Sequence, residues 1–312
     1  MSRAALTTIF LLTTALSCHG RASTRSTMPA APLGPVSAAK VFYFGHSLVG
    51  RDLPVMIGSF AKARGKTWMS QGQIGWGTSL RAHYEWDGAF DKNAPNGFAR
   101  DSQGHPFFAG EGKAQLQTGR YDTLVLTDTA GFVHGNGDDT VNYATRLVKL
   151  ARKANPTLRV FLYGTWLDRK EFPNEDAWRA QAESDIKWWE RVADRVSEQV
   201  EGPPLFVIPG GPILARVTRA AAQGKLPGLT VNDFFRDNEG GVKDTIHLND
   251  RGFYVMALAH YASIMRDSPV GLPVETQTED GPAEALSPEN AARVQGLVWD
   301  VLKAYPRAGV GP

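Results

Sequence analysis

Apolar residues fall along this chain in two kinds of run. Residues 40–44 (KVFYF) form a short stretch rich in β-formers that ends at Gly45, and residues 53–64 then carry Leu53, Ile57, Phe60 and Ala61 at helical spacing. The same rhythm returns in residues 123–127 (TLVLT) before 141–154, in 159–163 (RVFLY) before 177–200, and in 205–208 (LFVI) before 213–222. Apolar strands alternating with helices predict an α/β fold, with a mostly parallel sheet covered on both faces. Ligands of such sheets gather beyond the carboxyl ends of the strands. One rim is therefore expected to hold Ser47, residues 128–132, residues 164–166 and residues 209–212.

The segments outside this rhythm predict the domain organisation. Residues 1–20 start with Arg3 and a small apolar stretch (LTTIFLLTTALS) too short to span a bilayer, and read as a cleaved export signal. Cys18 ends that stretch in a loose match to a lipoprotein processing site, with Leu16 a poor fit. Lipid attachment at Cys18 and a plain export signal both stay open, and either places the protein in the periplasm or outside the cell. Residues 21–38, rich in Ser, Thr, Pro and Ala, read as a flexible linker before one domain over 39–312. Within that domain, about 81–120 is irregular and aromatic and reads as an insertion shaping a cleft. A polar linker over about 267–286 precedes Ser287-Pro288, an N-cap and N1 pair. The helix they open, with Val294, Leu297, Val298, Val301 and Leu302 on one face, is expected to pack on the sheet.

Composition narrows the function. The 312 residues are 42% hydrophobic and 21% charged, ordinary for a globular enzyme, and 34 basic against 32 acidic residues leave a net charge of +2. With no dense run of Lys or Arg, nucleic acid is not an expected partner. Cys18 is the single cysteine, so the mature body has no thiol for a disulfide or for thiolate catalysis. His46, His83, His105 and His134 lack ligand spacing, and neither a metal nor a cofactor is expected. Gly210-Gly211 reads as a tight turn, and Trp178 and Trp189 as packing residues on a helix.

Two motifs carry chemistry. Gly45-His46-Ser47-Leu48 stands directly between the first strand and a helix, where a serine hydroxyl is exposed and backbone N–H groups can stabilise an oxyanion. Alone it reads sooner as a helix cap, since Ser is a common residue there. Asp244-Thr245-Ile246-His247-Leu248-Asn249-Asp250-Arg251-Gly252 lets one loop set a carboxylate against one imidazole nitrogen while the other nitrogen reaches a hydroxyl.

A G-x-S-L block near the mature N-terminus with a late D-x-x-H-L-N-x-x-G block resembles the SGNH (GDSL-like) hydrolases, over about residues 40–265. The resemblance implies a three-layer α/β/α sandwich on a five-stranded, flavodoxin-like sheet. It implies Ser47 as nucleophile, His247 as general base and then acid, and Asp244 as the group that orients the imidazole. Residues 74–80 (IGWGTSL) look like the family's second block, whose glycine lends a backbone N–H to the oxyanion hole beside Ser47; Gly75 and Gly77 both fit. The third block departs from the family, because residues 124–132 (LVLTDTAGF) lack the usual asparagine. Thr129 is the first replacement donor, with Thr127 and Asn136 behind it, and an ionised Asp128 must point elsewhere.

Trp76, Trp86, Phe107, Phe108 and Trp166 fall in rim segments, where aromatic faces suit a sugar ring or an acyl chain, with Trp76, Trp86 and Trp166 the expected substrate contacts; closing the insertion over the core is the equal alternative. The expected activity is hydrolysis of an O-acyl ester, acetyl above all, on a carbohydrate through a seryl acyl-enzyme. O-acyl transfer to a glycan and non-catalytic carbohydrate binding are the alternatives.

Overall fold

The structure, a computed structural model, describes residues 34–85, 111–130 and 137–310. The export signal, Cys18, most of the 21–38 linker, Trp86, Phe107, Phe108, His105, His134 and Asn136 lie outside the described residues.

Five strands, β1 (Ala38–Gly45), β2 (Thr67–Ile74), β3 (Thr123–Leu126), β4 (Arg159–Tyr163) and β5 (Phe206–Ile208), form one sheet in the order β2-β1-β3-β4-β5. Every pairing is parallel, from Val41 opposite Ser70 to Leu162 opposite Val207. Successive residues of the central strands serve opposite layers, as a pleat requires. Val41, Tyr43, Val125, Phe161 and Tyr163 join one buried cluster, and Phe42, Phe44, Leu124, Val160 and Leu162 join the other.

β2 is the strand that hydrophobic runs do not reveal. It carries Ser70, Gln71 and Gln73, and it sits at the sheet edge with β1 as its single neighbour, where a continuous apolar face is not required.

One face is covered by α1 (Asp52–Ala63) and by later helices described below; α2 (Leu80–Glu85), α3 (Glu111–Gln117) and α4 (Asp138–Ala154) lie on the other. The predicted helix over 177–200 is two helices, α5 (Glu175–Ser184) and α6 (Ile186–Ser197), broken at Asp185. Trp178 and Ala182 of α5 are buried in the first cluster, whereas Trp189, Val192 and Val196 of α6 are buried in the second. A straight helix cannot serve both faces of a sheet, so the chain bends there.

Gly210 and Gly211, read from sequence as a turn, instead open α7 (Gly210–Ala222), where an added Cβ would meet the Tyr163 ring at 2.5 Å and the Ala182 carbonyl at 2.8 Å. After β6 (Phe235–Asp237) and β7 (Lys243–Leu248) come α8 (Asp250–Met265), the short β8 (Gln277–Thr278) and β9 (Gly281–Pro282), and α9 (Pro288–Ala304). Ser287 caps α9 by accepting the Asn290 N–H at 3.2 Å, and Val294, Val298 and Leu302 are fully buried. α9 makes its main contacts with α7 and α8, not with the sheet, because those helices already occupy that face. Among the described residues no helix is long and apolar enough to cross a membrane.

Candidate active site

Ser47 lies two residues beyond β1, at the carboxyl end of the sheet. The helix does not follow at once: the His46 carbonyl accepts the N–H groups of Val49 (2.9 Å) and Gly50 (3.2 Å) in a tight turn, and α1 begins only at Asp52. The turn is pinned by His46 itself, whose Nε2–H donates to the Asp128 carbonyl at 3.0 Å and whose Nδ1 faces the Leu48 N–H at 3.4 Å. Burial pushes the His46 pKa down to about 4, which keeps the ring neutral beside the serine. His83 plays the same part at the same strand end, with Nε2–H donating to the Gly45 carbonyl at 2.8 Å and Nδ1 accepting from Gln73 at 3.1 Å. No sequence spacing betrayed either histidine as a strut.

Asp244 and His247 come from β7, whose pairing with β6 is irregular. Phe235 pairs with Leu248 and Asp237 with Lys243, so the single residue Arg236 faces the four residues Asp244, Thr245, Ile246 and His247. That wide bulge turns the D-x-x-H segment toward the rim. Its carboxylate folds back on its own backbone: Asp244 Oδ1 accepts the N–H groups of Ile246 and His247, each at 2.8 Å. Asp244 Oδ2 accepts His247 Nδ1–H at 2.9 Å, and His247 Nε2 lies 2.9 Å from Ser47 Oγ. Burial raises the Asp244 pKa, but the hydrogen bonds from the His247 and Ile246 backbone and the His247 ring outweigh it and hold the carboxyl well below the usual carboxylate range.

The bulge is buttressed from the loop after β4. Trp166 Nε1–H donates to the Ile246 carbonyl at 3.1 Å, and Arg169 reaches the Asp244 carbonyl at 3.4 Å with its guanidinium over the Phe235 ring. Trp166 is thus fully buried and forms a wall of the cleft, not the open stacking face its rim position predicts. Beyond the bulge, Asn249 caps α8 by accepting the Gly252 N–H at 3.0 Å. Gly252 is bare because an added Cβ would lie 2.3 Å from the Phe234 carbonyl oxygen. Gly252→Ala is expected to cost about 1–3 kcal/mol of stability, read by urea unfolding; an unchanged midpoint would mean that the carbonyl moves aside freely.

The cleft in front of Ser47 has a volume of about 440 Å³ and is lined by Trp76, Gly77, Thr129, Trp166, Asp168, Glu171 and His247, among others. Trp76 is 48% exposed, with its ring 5.5 Å from the His247 ring. Of the two glycines in the second block, Gly75 gives its N–H to the Gly45 carbonyl at 3.1 Å, whereas Gly77 has φ of 62° and, among the described residues, no partner for its N–H. The Ser47 N–H is unpaired in the same sense. Thr127 donates its hydroxyl to the Tyr163 carbonyl at 2.9 Å and is buried. Asp128 points away from the cleft, with Oδ1 accepting from the Thr129 N–H (2.8 Å) and Leu80 N–H (3.3 Å) and Oδ2 from the Thr140 hydroxyl (2.8 Å). Among the described residues no group of three or more His, Cys, Asp or Glu is placed to hold a metal ion.

The described ends of the 81–120 insertion, α2 and α3, pack on α4 and contribute no residue to this cleft. Residues 86–110, with Trp86, lie outside the described residues.

The five parallel strands between two helical layers, with the G-x-S-L turn after the first strand, give this chain the three-layer α/β/α fold that the resemblance to SGNH/GDSL-like hydrolases implies. In particular, it is similar to a DUF4886 family protein from Bacteroides uniformis, at 15% identity and a TM-score of 0.63 over 86% of this chain and 96% of that one. Two further similar structures are a protein from Slackia heliotrinireducens named, provisionally, as an SGNH hydrolase (15% identity, TM-score 0.44, 72% of this chain and 97% of that one) and a carbohydrate esterase family 3 protein from Talaromyces cellulolyticus (15% identity, TM-score 0.39, 72% and 93%). No family model and no curated protein matches the chain by sequence.

Proposed function

We propose that this protein is a serine esterase that hydrolyses O-acyl esters, acetyl esters of carbohydrates above all, outside the cytoplasm. The observation that carries the reading is the unbroken chain from Ser47 Oγ to His247 Nε2 and from His247 Nδ1 to Asp244 Oδ2, each link 2.9 Å, at the floor of an open cleft. A serine hydroxyl is a weak nucleophile until a positioned base accepts its proton. In the proposed reaction His247 takes that proton as Oγ attacks the acyl carbon, and Asp244 stabilises the imidazolium. The proton then passes from His247 to the leaving alkoxide, the C–O bond breaks, and the acyl-enzyme remains. Water, deprotonated by His247, attacks the acyl carbon and releases the acid while Oγ recovers its proton.

The oxyanion is held by the N–H groups of Ser47 and Gly77, which have no other partner among the described residues, and by the Thr129 hydroxyl in place of the family's asparagine. Thr129→Val is expected to lower kcat about tenfold to a hundredfold with KM little changed, since a lost oxyanion donor acts in the transition state. An unaltered kcat assigns the third donor elsewhere. The exposed Trp76 ring, and the Asp168 and Glu171 carboxylates in the same cleft, are the groups a sugar would stack on and hydrogen-bond to.

The test is labelling of the purified protein with a fluorophosphonate probe. Stoichiometric labelling that disappears in Ser47→Ala is expected. Labelling that persists in that variant removes Ser47 from its role, and no labelling of either protein favours carbohydrate binding without turnover.

A further inference from the structure

Arg236 is the one residue of β6 that stands across from the whole Asp244–His247 bulge, and its side chain spans it. Its Nε donates to Asp244 Oδ2 at 3.1 Å, the same oxygen that accepts His247 Nδ1–H. With the two backbone N–H groups on Oδ1, that carboxylate accepts four hydrogen bonds, its full complement. The guanidinium lies over the Trp76 ring at 5.1 Å, which holds it from the cleft side. Its Nη2 is 3.4 Å from His247 Nδ1, but that nitrogen already gives its proton to Asp244, so the contact is a close approach of two donors and not a hydrogen bond.

We infer that Arg236 is a positioning residue for the proposed reaction: it fixes the Asp244 carboxylate in the plane that presents His247 to Ser47, in a bulge that ladder hydrogen bonds do not hold. The inference rests on the esterase reading above. Backbone N–H groups fix Oδ1 alone and leave the carboxylate free to rotate about that anchor. A charge-assisted bond from a stacked, planar donor to Oδ2 removes that rotation. Arg236 does not touch Ser47; it stacks on Trp76, the residue given to the sugar, so with a substrate that carries no sugar its effect runs through Asp244.

The experiment is a double-mutant cycle on kcat/KM for p-nitrophenyl acetate, using Arg236→Gln, Arg236→Lys, Asp244→Ala and the two combinations with Asp244→Ala. Arg236→Gln is expected to lower kcat about tenfold to a hundredfold with a smaller change in KM, and Arg236→Lys, which keeps a single cationic donor, to recover part of the loss. In the Asp244→Ala background neither substitution is expected to cost more than about twofold, since the group through which Arg236 acts is gone. Equal losses in both backgrounds, or full activity in Arg236→Gln, overturn the inference. If Arg236→Gln does not fold, the lysine variant decides by the same comparison. Failure of the esterase reading is distinguishable, because the unsubstituted protein would then show neither turnover nor labelling.

Discussion

Replacing Ser47 with alanine is expected to lower kcat/KM for a small acyl ester by at least about 10⁴-fold, with the fold and thermal stability retained. Ser47 is half-buried in a turn whose hydrogen bonds are all made by its neighbours: the His46 carbonyl, the His46 ring and the Asp128 carbonyl. Its side chain meets His247 Nε2 and the open cleft, so its loss removes chemistry without removing a structural contact of comparable worth. His247→Ala is expected to cost as much, since serine and base act as one unit. Asp244→Asn is expected to leave a measurable residue, because the Ile246 and His247 N–H groups still have an oxygen to bind. Steady-state kinetics of the purified variants decide. Activity of Ser47→Ala within tenfold of the parent would remove the nucleophile from the proposal.

Acidification from pH 7 toward pH 4 is expected to weaken the fold progressively through three buried histidines. His46, His83 and His260 are fully buried, and burial lowers each pKa from 6.5 to about 4. Between these values the unfolded chain binds protons that the folded one does not, so the stability these histidines allow at neutral pH is lost as pH falls from about 6.5 to about 4. Each costs on the order of 1 kcal/mol per pH unit as pH falls across that window. Asp128 works in the opposite sense, because burial raises its pKa. His260 is the cleanest probe. It packs against Tyr163 at 4.4 Å between ring centroids, bonds, among the described residues, only the Met256 carbonyl, and lies away from the cleft. His260→Phe is expected to weaken the pH dependence of urea unfolding between pH 7 and pH 4.5. A parent protein equally stable at both values would contradict this account.

The two motifs of the proposed site were legible in the sequence because each is local. Asp244 and His247 are three residues apart, and the carboxylate accepts the N–H of His247 itself, so their meeting is written into the spacing. Ser287-Pro288 opens its helix for the same reason, since a cap needs only the next three residues. The other four strands, β5 at the far edge included, were legible because both of their faces are buried and their runs are apolar throughout. The edge strand β2, half polar with Ser70, Gln71 and Gln73, left no such signature.

Other features depended on contacts between distant residues, to which no local pattern answers. Ser47 and His247 are 200 positions apart, and their 2.9 Å contact is made where α8, the helix that follows the β6–β7 bulge, packs against α1, the helix that follows Ser47. Only packing distinguishes Gly77 from Gly75, because the sheet takes the Gly75 N–H for the Gly45 carbonyl. Trp166 became a buried prop when its indole N–H found the Ile246 carbonyl 80 residues away. The bend at Asp185 follows from two core layers that a single helical pattern cannot tell apart. Periodicity records which residues avoid water, whereas the choice of partner for each buried donor is settled only when the elements meet.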